Sequence, residues 1–454
     1  MANQHSQAAE VSAQISSEPS CFKSRSVISL AELFWIFFKI GSVAFGGFMA
    51  LIGVIESIIV DRRKLLSHED MLDGISLANL LPGPQAVNCV AYVGYRLRGG
   101  LGALVCAVGV LTPTFILMTT LTWLYMSYGS GSDALKNLFA GFTPAVAAVI
   151  VAVVWRMGSQ QIKGIRELSL SIGGALTLWL LPSTMSNIFG GDSRQFTLYS
   201  TLSIILGYAL IGLAFFRDEV GERPQREPLP LTRLLLTLLL LSIPPCLFLF
   251  ADLSLNPTGF AQVGLTFSGL SMILFGGGYV FIPMIQDVVV GVSQWLSVEE
   301  FNMGIALSQV TPGPIMISAG FIGQKVITEN YNAWLGVLGG LIGTISIFAP
   351  PAILMVTAAH FLDHIKGSIL AQAAMRGIRL GVIGMIFVSS LVILRSSLPQ
   401  GEGEITLTEY LFTHWTALWP TVLIFGGALL AQVKWRLDVV WVIPAAGVLG
   451  VILY

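Results

Sequence analysis

Long apolar runs, separated by short polar segments, divide almost the whole chain. Each half holds six runs, and one unmatched run lies between the halves at 231–251. Runs of this length and hydropathy predict helices that enter a lipid bilayer. The first six are 31–60, 72–95, 100–127, 137–155, 168–182 and 197–216, and the last six are 262–290, 302–324, 334–360, 369–394, 416–433 and 437–454. The pattern therefore predicts an all-α integral membrane protein.

Two parts of the chain carry nearly the same sequence, 230 positions apart. Residues 45–84 match 275–314 without a gap at fifteen of 40 positions, beginning with Phe-Gly-Gly and ending with Pro-Gly-Pro. One odd helix separates two copies of six segments each, so the second copy enters the membrane from the opposite side. The sequence thus predicts two homologous halves, 29–216 and 262–454, in an inverted-topology repeat.

The remaining segments have simpler predictions. Residues 217–261 are a polar linker followed by the connecting transmembrane helix. Residues 1–28 are rich in Ser, Gln, Ala and Glu and have no continuous apolar core, so we expect a disordered cytoplasmic tail rather than a signal peptide.

Lys and Arg residues predict the orientation. With the amino terminus inside, fourteen lie in cytoplasmic loops and seven outside, which broadly meets the positive-inside rule. The exception is the cluster Arg62-Arg63-Lys64. Run 31–60 measures about 45 Å as a straight helix, against a hydrocarbon core of about 30 Å.

We therefore hypothesise that run 31–60 and run 72–95 are re-entrant hairpins, which turn at 45–47 and at 82–84. The equivalent runs 262–290 and 302–324 do likewise. The cluster at 62–64 then returns to the cytoplasm, and the balance becomes seventeen to four.

Composition excludes several function classes. Hydrophobic residues make up 54% and charged residues 11% of the chain, and its mean hydropathy is +0.79, so a soluble surface cannot be covered. There is no basic block for nucleic acid. Four scattered cysteines offer neither disulfide nor metal spacing. Phosphate-loop, hydrolase and metalloprotease motifs are absent, which predicts no enzyme and no cofactor or metal.

Pro82-Gly83-Pro84 and Pro312-Gly313-Pro314 must break the helices that contain them. Inside a membrane, broken backbone is tolerated only where protein or a water-filled cavity satisfies it. The helix that restarts after each motif exposes free N–H groups and the positive end of its dipole, which favours an anion. The alternative is that glycine and proline permit only a kink or close packing. Two matched pairs of breaks favour the anion site.

Polar side chains lie beside the breaks. Asn79 and Gln309 are equivalent positions three residues before each Pro-Gly-Pro, and Asn88 matches Ser318 just beyond. Amide and hydroxyl donors suit an oxyanion. The substrate-binding candidates are Phe45, Gly46, Gly47, Asn79, Pro82, Gly83, Pro84, Asn88, Gly276, Gly277, Gln309, Pro312, Gly313, Pro314 and Ser318.

Charged residues inside apolar runs are further candidates. Lys39, and Arg376 with Arg379 at i, i+3 spacing, are candidate counter-charges for an anion, with interfacial snorkelling as the alternative. Glu56 and Asp287 lie close to equivalent positions in the two halves. As buried carboxylates they are candidates for coupling transport to a proton gradient, and an ordinary interfacial location is the alternative.

The repeated motifs resemble the chromate transporter family of membrane proteins. In the first half the resemblance rests on Lys39-Ile40-Gly41, Phe45-Gly46-Gly47, Leu66-Ser67-x-Glu69-Asp70, Pro82-Gly83-Pro84 and Gly94-Tyr95-Arg96. The second half repeats the pattern from Phe275-Gly276-Gly277 to Pro312-Gly313-Pro314. Phe48, where the family usually has a small residue, and Leu65, where residue 295 is Trp, depart from it.

The resemblance implies a multi-pass secondary transporter of tetrahedral oxyanions in the bacterial inner membrane. Its expected partners are the lipid bilayer and chromate or sulfate, with no nucleic acid, and a homodimer is left open. The expected function is chromate efflux that confers chromate resistance. Sulfate uptake or sulfate/chromate exchange is the alternative.

Overall fold

The computed structural model describes residues 28–44, 48–128, 133–189, 193–216, 259–274, 281–359, 369–396, 415–437 and 439–454. Within these ranges the chain is helical and contains no strand. Predictions for the amino-terminal tail, for most of the linker at 217–261, and for the candidates Phe45, Gly46, Gly47, Gly276 and Gly277 concern residues outside the described ranges.

Seven helices form the described part of the first half. They are α1 (Leu30–Val43), α2 (Phe48–Ile55), α3 (His68–Leu80), α4 (Gln85–Tyr128), α5 (Asp133–Gln161), α6 (Ile165–Phe189) and α7 (Ser193–Phe215). Helix α2 continues as a π-helix over Glu56–Arg62. Its first residue is the coupling candidate Glu56.

Eight helices form the described part of the second half. They are α8 (Phe260–Ile273), α9 (Phe281–Gln286), α10 (Val298–Val310), α11 (Ser318–Asn330), α12 (Ala333–Ala359), α13 (Ile369–Ser396), α14 (Trp415–Val433) and α15 (Val439–Leu453). Helix α9 also continues as a π-helix, over Asp287–Val292, and a short 3₁₀ turn, Ile315–Ile317, precedes α11.

The matching Leu-Ser-x-Glu sequences of the two halves begin equivalent helices. Ser67 caps α3 and Ser297 caps α10, and each forms a capping box with the carboxylate three residues later, Asp70 or Glu300. The box satisfies two backbone donors that the first helical turn leaves unpaired. Local sequence therefore fixes where both helices begin.

Helix α4 is two helices joined at Arg98 and Gly99, where the backbone leaves helical geometry and Gly99 has φ +63°. The chain reverses there, because a Cβ on Gly94 would lie 2.4 Å from the carbonyl oxygen of Gly102. Such close backbone contact needs glycine on both sides.

Three of the described helices are long and apolar enough to cross a membrane: Gln85–Tyr128, Ala140–Gln161 and Ala333–Ala359. By contrast, α1, α3, α8 and α10 have 13 or 14 residues each. At 1.5 Å per residue they measure about 20 Å, which is less than the thickness of a hydrocarbon core of about 30 Å. None of these four crosses a bilayer alone.

The two halves share one apolar core, which includes Val146 of α5, Phe281 of α9 and Ile386 of α13. Helices α7 and α13 touch through their backbones, since a Cβ on Gly377 would lie 2.1 Å from the carbonyl oxygen of Tyr208. Close crossings through small residues hold helices together where lipid removes the hydrophobic drive for association. These long helices form the frame around the shorter ones.

Candidate functional site

Both Pro-Gly-Pro sequences interrupt the helices, as the sequence predicts: α3 ends at Leu80 and α10 ends at Val310. The interruptions meet the opposite half of the chain in a reciprocal way. The amide of Gly83 donates to the carbonyl of Leu274 at 2.7 Å, and the amide of Gly313 donates to the carbonyl of Ala44 at 2.9 Å. Leu274 and Ala44 are equivalent positions directly before the two Phe-Gly-Gly sequences. Each break is thus attached to the start of a break in the other half.

Gly83 and Gly313 have backbone angles that other residues rarely adopt, with φ +94° and +107°. Their surroundings leave no room for a side chain. A Cβ on Gly83 would lie 2.3 Å from Cβ of Pro351, and one on Gly313 would lie 2.5 Å from Oγ1 of Thr114. Both positions therefore require glycine.

The amides of Gly83 and Gly313 are not open to an anion, because protein carbonyls accept both bonds. The free amides that the sequence predicts for an anion are those in the first turns of the helices that follow Pro84 and Pro314, and that anion site stays a prediction.

Several buried polar side chains beside these turns lack hydrogen-bond partners among the described residues. Asn88 is fully buried and donates through Nδ2 to the carbonyl of Pro82 at 3.0 Å, while its Oδ1 accepts no bond. Both polar atoms of the Gln309 amide and the hydroxyl of Ser318 also lack a hydrogen-bond partner in the described ranges. An unsatisfied buried polar group costs about 1–3 kcal/mol. Three of the sequence candidates are therefore polar groups that a ligand or a second conformation can satisfy.

A cavity of about 540 Å³ separates α3 from α13. It brings together the candidates Asn79, Arg376 and Arg379, which are distant in sequence. Its lining consists of Asp73, Ser76, Asn79, Leu80, Gln161, Gln372, Met375, Arg376 and Arg379. The cavity therefore extends along α3 to the residue at which that helix ends before Pro-Gly-Pro.

The two arginines of this cavity have different surroundings. Nη2 of Arg376 lies 3.6 Å from Oε1 of Glu167, and its guanidinium lies 4.3 Å from the ring centroid of Phe216. Arg379 forms no ion pair and no hydrogen bond with any residue in the described ranges. Arginine stays protonated in proteins. The cavity thus contains a partly buried positive charge that has no counter-ion among the described residues.

The structure does not bring the remaining charged candidates into this cavity. Lys39 is exposed on the outer face of α1, on the side that carries Trp35 and Val43. Glu56 has 38% of its side chain exposed and lies 2.9 Å from Nδ1 of His68, which fits the interfacial alternative. Asp287 begins the second π-helix.

Ion pairs join the ends of neighbouring short helices. Asp70 at the start of α3 binds Arg96, and Glu300 at the start of α10 lies 2.8 Å from Nζ of Lys325. Burial raises the pKa of Asp70, but hydrogen bonds from Ser67 and Arg96 outweigh burial and leave that pKa below its ordinary value. In the same way, bonds from Lys325 and Ser297 lower the pKa of Glu300 against the effect of burial. Both carboxylates are therefore charged at neutral pH.

Equivalent faces of α3 and α10 differ in exposure. Ser76 is exposed and Asn79 half-buried at the cavity, whereas the equivalent residues Ala306 and Gln309 are 0% and 7% exposed. The face of α3 is therefore open in the first half, whereas the equivalent face of α10 is closed in the second half.

Sequence reasoning missed the rest of the cavity lining, although a signal was present. Asp73, Ser76 and Asn79 are spaced i, i+3 and i+6, and Gln372, Arg376 and Arg379 are spaced i, i+4 and i+7. These spacings place polar residues on one face of a helix. Two polar faces in otherwise apolar helices indicate an aqueous boundary.

Comparison with known proteins identifies the family. The family model described as chromate transporter matches the chain twice, over residues 31–213 and 261–451. The chain belongs to the chromate transporter family. It is 28% identical over 433 residues to a chromate transport protein of Pseudomonas aeruginosa, covering 93% of this chain and 92% of that protein.

Two further proteins are similar to the chain over most of their length. A chromate transport protein of Cupriavidus metallidurans is 23% identical over 412 residues, which cover 90% of this chain and 94% of the relative. An uncharacterized transporter of Methanocaldococcus jannaschii is 27% identical over 372 residues, covering 79% and 83%. No solved structure matches the chain.

Proposed function

We propose that this protein is a secondary transporter of tetrahedral oxyanions that exports chromate from the cytoplasm, and that its anion enters the cavity between α3 and α13. The observation that carries the proposal is Arg379, a charged group that lines the cavity without a counter-ion in the described ranges. The relatives named chromate transport proteins supply the substrate.

The donors of the cavity suit a dianion with four oxygens. Guanidinium groups bind oxyanions with two parallel hydrogen bonds, and Asn79 adds an amide donor, while Asp73 is the acidic residue in the described lining. A volume of about 540 Å³ corresponds to about 18 waters at roughly 30 Å³ each. The cavity is thus a vestibule for a hydrated anion, and the buried groups of Asn88, Gln309 and Ser318 are not part of its lining.

Helix length and ion pairs support re-entrant hairpins. Arg63, after the π-helix of α2, binds Glu32 in the first turn of α1, so the ends of these two helices lie side by side. Asp70 and Arg96 join α3 to α4 in the same manner. Each pair of short helices then enters and leaves on one side, within the two inverted halves 29–216 and 262–454 of a multi-pass plasma-membrane protein.

Labelling tests this topology. In a cysteine-free background, Arg62→Cys is expected to resist an impermeant thiol reagent added outside intact cells, because the hairpin returns residue 62 to the cytoplasm. Ala333→Cys, in an exposed turn on the predicted outer side, serves as the positive control. Modification of residue 62 from outside rejects the hairpin topology.

The unequal exposure of α3 and α10 supports alternating access. In this conformation the first half is open beside α3 and the second half is closed beside α10. When the two inverted halves swap these conformations, the side of α10 opens to the opposite face of the membrane. Gln309, buried without a partner, then becomes the counterpart of Asn79 in the outward-open state.

Equivalent cysteines test that exchange. Ser76→Cys is expected to react with a small thiol reagent in membranes without substrate, and Ala306→Cys to react at least tenfold more slowly, because the residue there is fully buried. Addition of chromate, which drives turnover, is expected to raise the labelling rate of Ala306→Cys. Equal rates at both positions, unchanged by chromate, contradict alternating access between these two states.

Flux measurement tests the function itself. Proteoliposomes containing the whole chain are loaded with chromate or with sulfate, with and without an imposed proton gradient. We expect chromate to leave faster than from protein-free vesicles. Sulfate flux with no chromate flux assigns the protein to sulfate uptake, chromate flux that requires sulfate on the other side indicates exchange, and no flux of either anion rejects the transporter.

A further inference from the structure

A second polar cavity lies where the end of α5 meets the turn between α14 and α15. Its volume is about 490 Å³. The ionisable residues in its lining are Arg156 and Arg436, and Ser159, Gln160 and Gln432 add polar groups. Among the described residues, its wall therefore has positive charges and no acidic residue.

The two arginines have no hydrogen-bonding or ionic partner among the described residues. Within the part of the chain that the structure describes, the guanidinium groups of Arg156 and Arg436 form no ion pair and no hydrogen bond. Gln432 is held in place, since its Nε2 donates to the carbonyl of Leu437 at 2.7 Å. Two unpaired guanidinium forks beside one cavity are suited to a phosphate group.

The backbone at Arg436 is unusual for its residue type. Helix α14 ends in a turn in which the amide of Leu437 donates to the carbonyl of Ala431 at 3.0 Å. Arg436 occupies this turn with φ +53°, the left-handed conformation that helix ends usually assign to glycine. A long charged side chain is thus held beside the cavity at a backbone position where glycine is less strained.

Exposed tryptophans lie in the cavity lining or close to its residues in sequence. Trp155 lines it with 67% of its area exposed, and Trp435 and Trp441 are 64% and 73% exposed. Exposed tryptophans mark the level of lipid headgroups in membrane proteins. The charge rule assigns the end of α5, which contains Arg156, and the turn with Arg436 to the cytoplasmic side, where the leaflet is anionic.

We propose that this cavity binds the phosphate of an anionic phospholipid in the cytoplasmic leaflet. The two guanidinium groups hold the phosphate oxygens, Gln160 and Ser159 lie at the same opening, and the indole of Trp155 covers the glycerol region. The acyl chains lie along exposed Leu430 and Val433 of α14. Its lining shares no residue with the cavity of the proposed transport path, and the two linings adjoin in α5 at Gln160 and Gln161.

Binding to the purified full chain in detergent tests the proposal. Phosphatidylglycerol is expected to raise the Tm and to remain attached in native mass spectrometry, whereas phosphatidylcholine does neither, because ligands of the folded state stabilise it in proportion to occupancy. Arg156→Gln and Arg436→Gly are each expected to weaken phosphatidylglycerol binding roughly tenfold or more. Arg62→Gln, which removes an exposed arginine elsewhere, is the matched control and keeps the wild-type affinity.

Arg436→Gly keeps the test decisive, because glycine suits the left-handed turn and is expected to leave the Tm without lipid no lower than that of the wild type. Undiminished affinity in both variants, or an equal response to phosphatidylcholine, overturns the proposal. Inorganic phosphate that alone reproduces the shift assigns the site to a free anion. A shift that follows a change in oligomeric state assigns the cavity to a second copy of the chain. Either outcome also overturns the lipid assignment.

Discussion

Chromate flux in proteoliposomes is expected to be abolished by Gly83→Leu and by Gly313→Leu, while both variants still insert into the membrane. Each glycine has a positive φ, and a side chain would collide with Pro351 or Thr114 from the other half. The left-handed backbone alone costs about 1–2 kcal/mol for a residue with a Cβ. Because the amide of each glycine is bonded to the opposite half, the substitution displaces the contact between the two breaks.

Gly53→Leu is the matched control for these variants. Gly53 lies in α2 of the same half, and a Cβ there has no atom within 4 Å. We expect it to retain most of the wild-type flux. Unaltered flux in both Gly83→Leu and Gly313→Leu means that the breaks are only kinks. Loss of membrane insertion shows a structural role, and in that event Gly83→Ala and Gly313→Ala are measured in the same assay.

Arg379→Gln is expected to lower the efficiency of chromate transport by about 10-fold to 150-fold. This range corresponds to the roughly 1.5–3 kcal/mol of a hydrogen bond to a charged group. Arg379→Lys is expected to recover part of the loss, since it keeps the charge and loses the two-pronged geometry. Initial rates of chromate flux over a range of concentrations measure the effect.

Stability separates a binding role of Arg379 from a structural one. A partly buried charge without a counter-ion does not stabilise the fold, so the Tm of Arg379→Gln is expected to equal or exceed that of the wild type. Arg62→Gln, an exposed charge removal outside the cavity, controls for net charge. A fall in Tm together with unchanged flux assigns Arg379 to the fold and removes it from the substrate path.

The local breaks and helix starts were accessible from sequence because they depend on local chemistry. Pro82-Gly83-Pro84 cannot continue a helix, and Ser67 with Asp70 begins one, whatever surrounds them. The same reasoning did not show that the amides of Gly83 and Gly313 are bonded. Their partners, Leu274 and Ala44, lie in the opposite half, and a repeat pattern does not state which carbonyl reaches which amide.

Asn79, Arg376 and Arg379 were recognised singly as polar residues in apolar runs, but Lys39 satisfied the same criterion and lies outside the cavity. Residue type and hydropathy are equal for a side chain that faces lipid and for one that faces water inside the protein. Only helix packing distinguishes them, and packing joins α3 to α13 across almost 300 positions of sequence.

By itself, the sequence determined the membrane class, the duplication, the helix breaks and the resemblance to a transporter family, since these depend on composition and on short motifs. The tertiary structure decided which breaks contact each other, that one half is open where the other is closed, and that Arg379 stands in a cavity without a counter-ion. Those features arise from contacts between segments that are distant in sequence. Such contacts decide which polar groups are buried and which of them find hydrogen-bond partners, so the pattern along one helix does not reveal them.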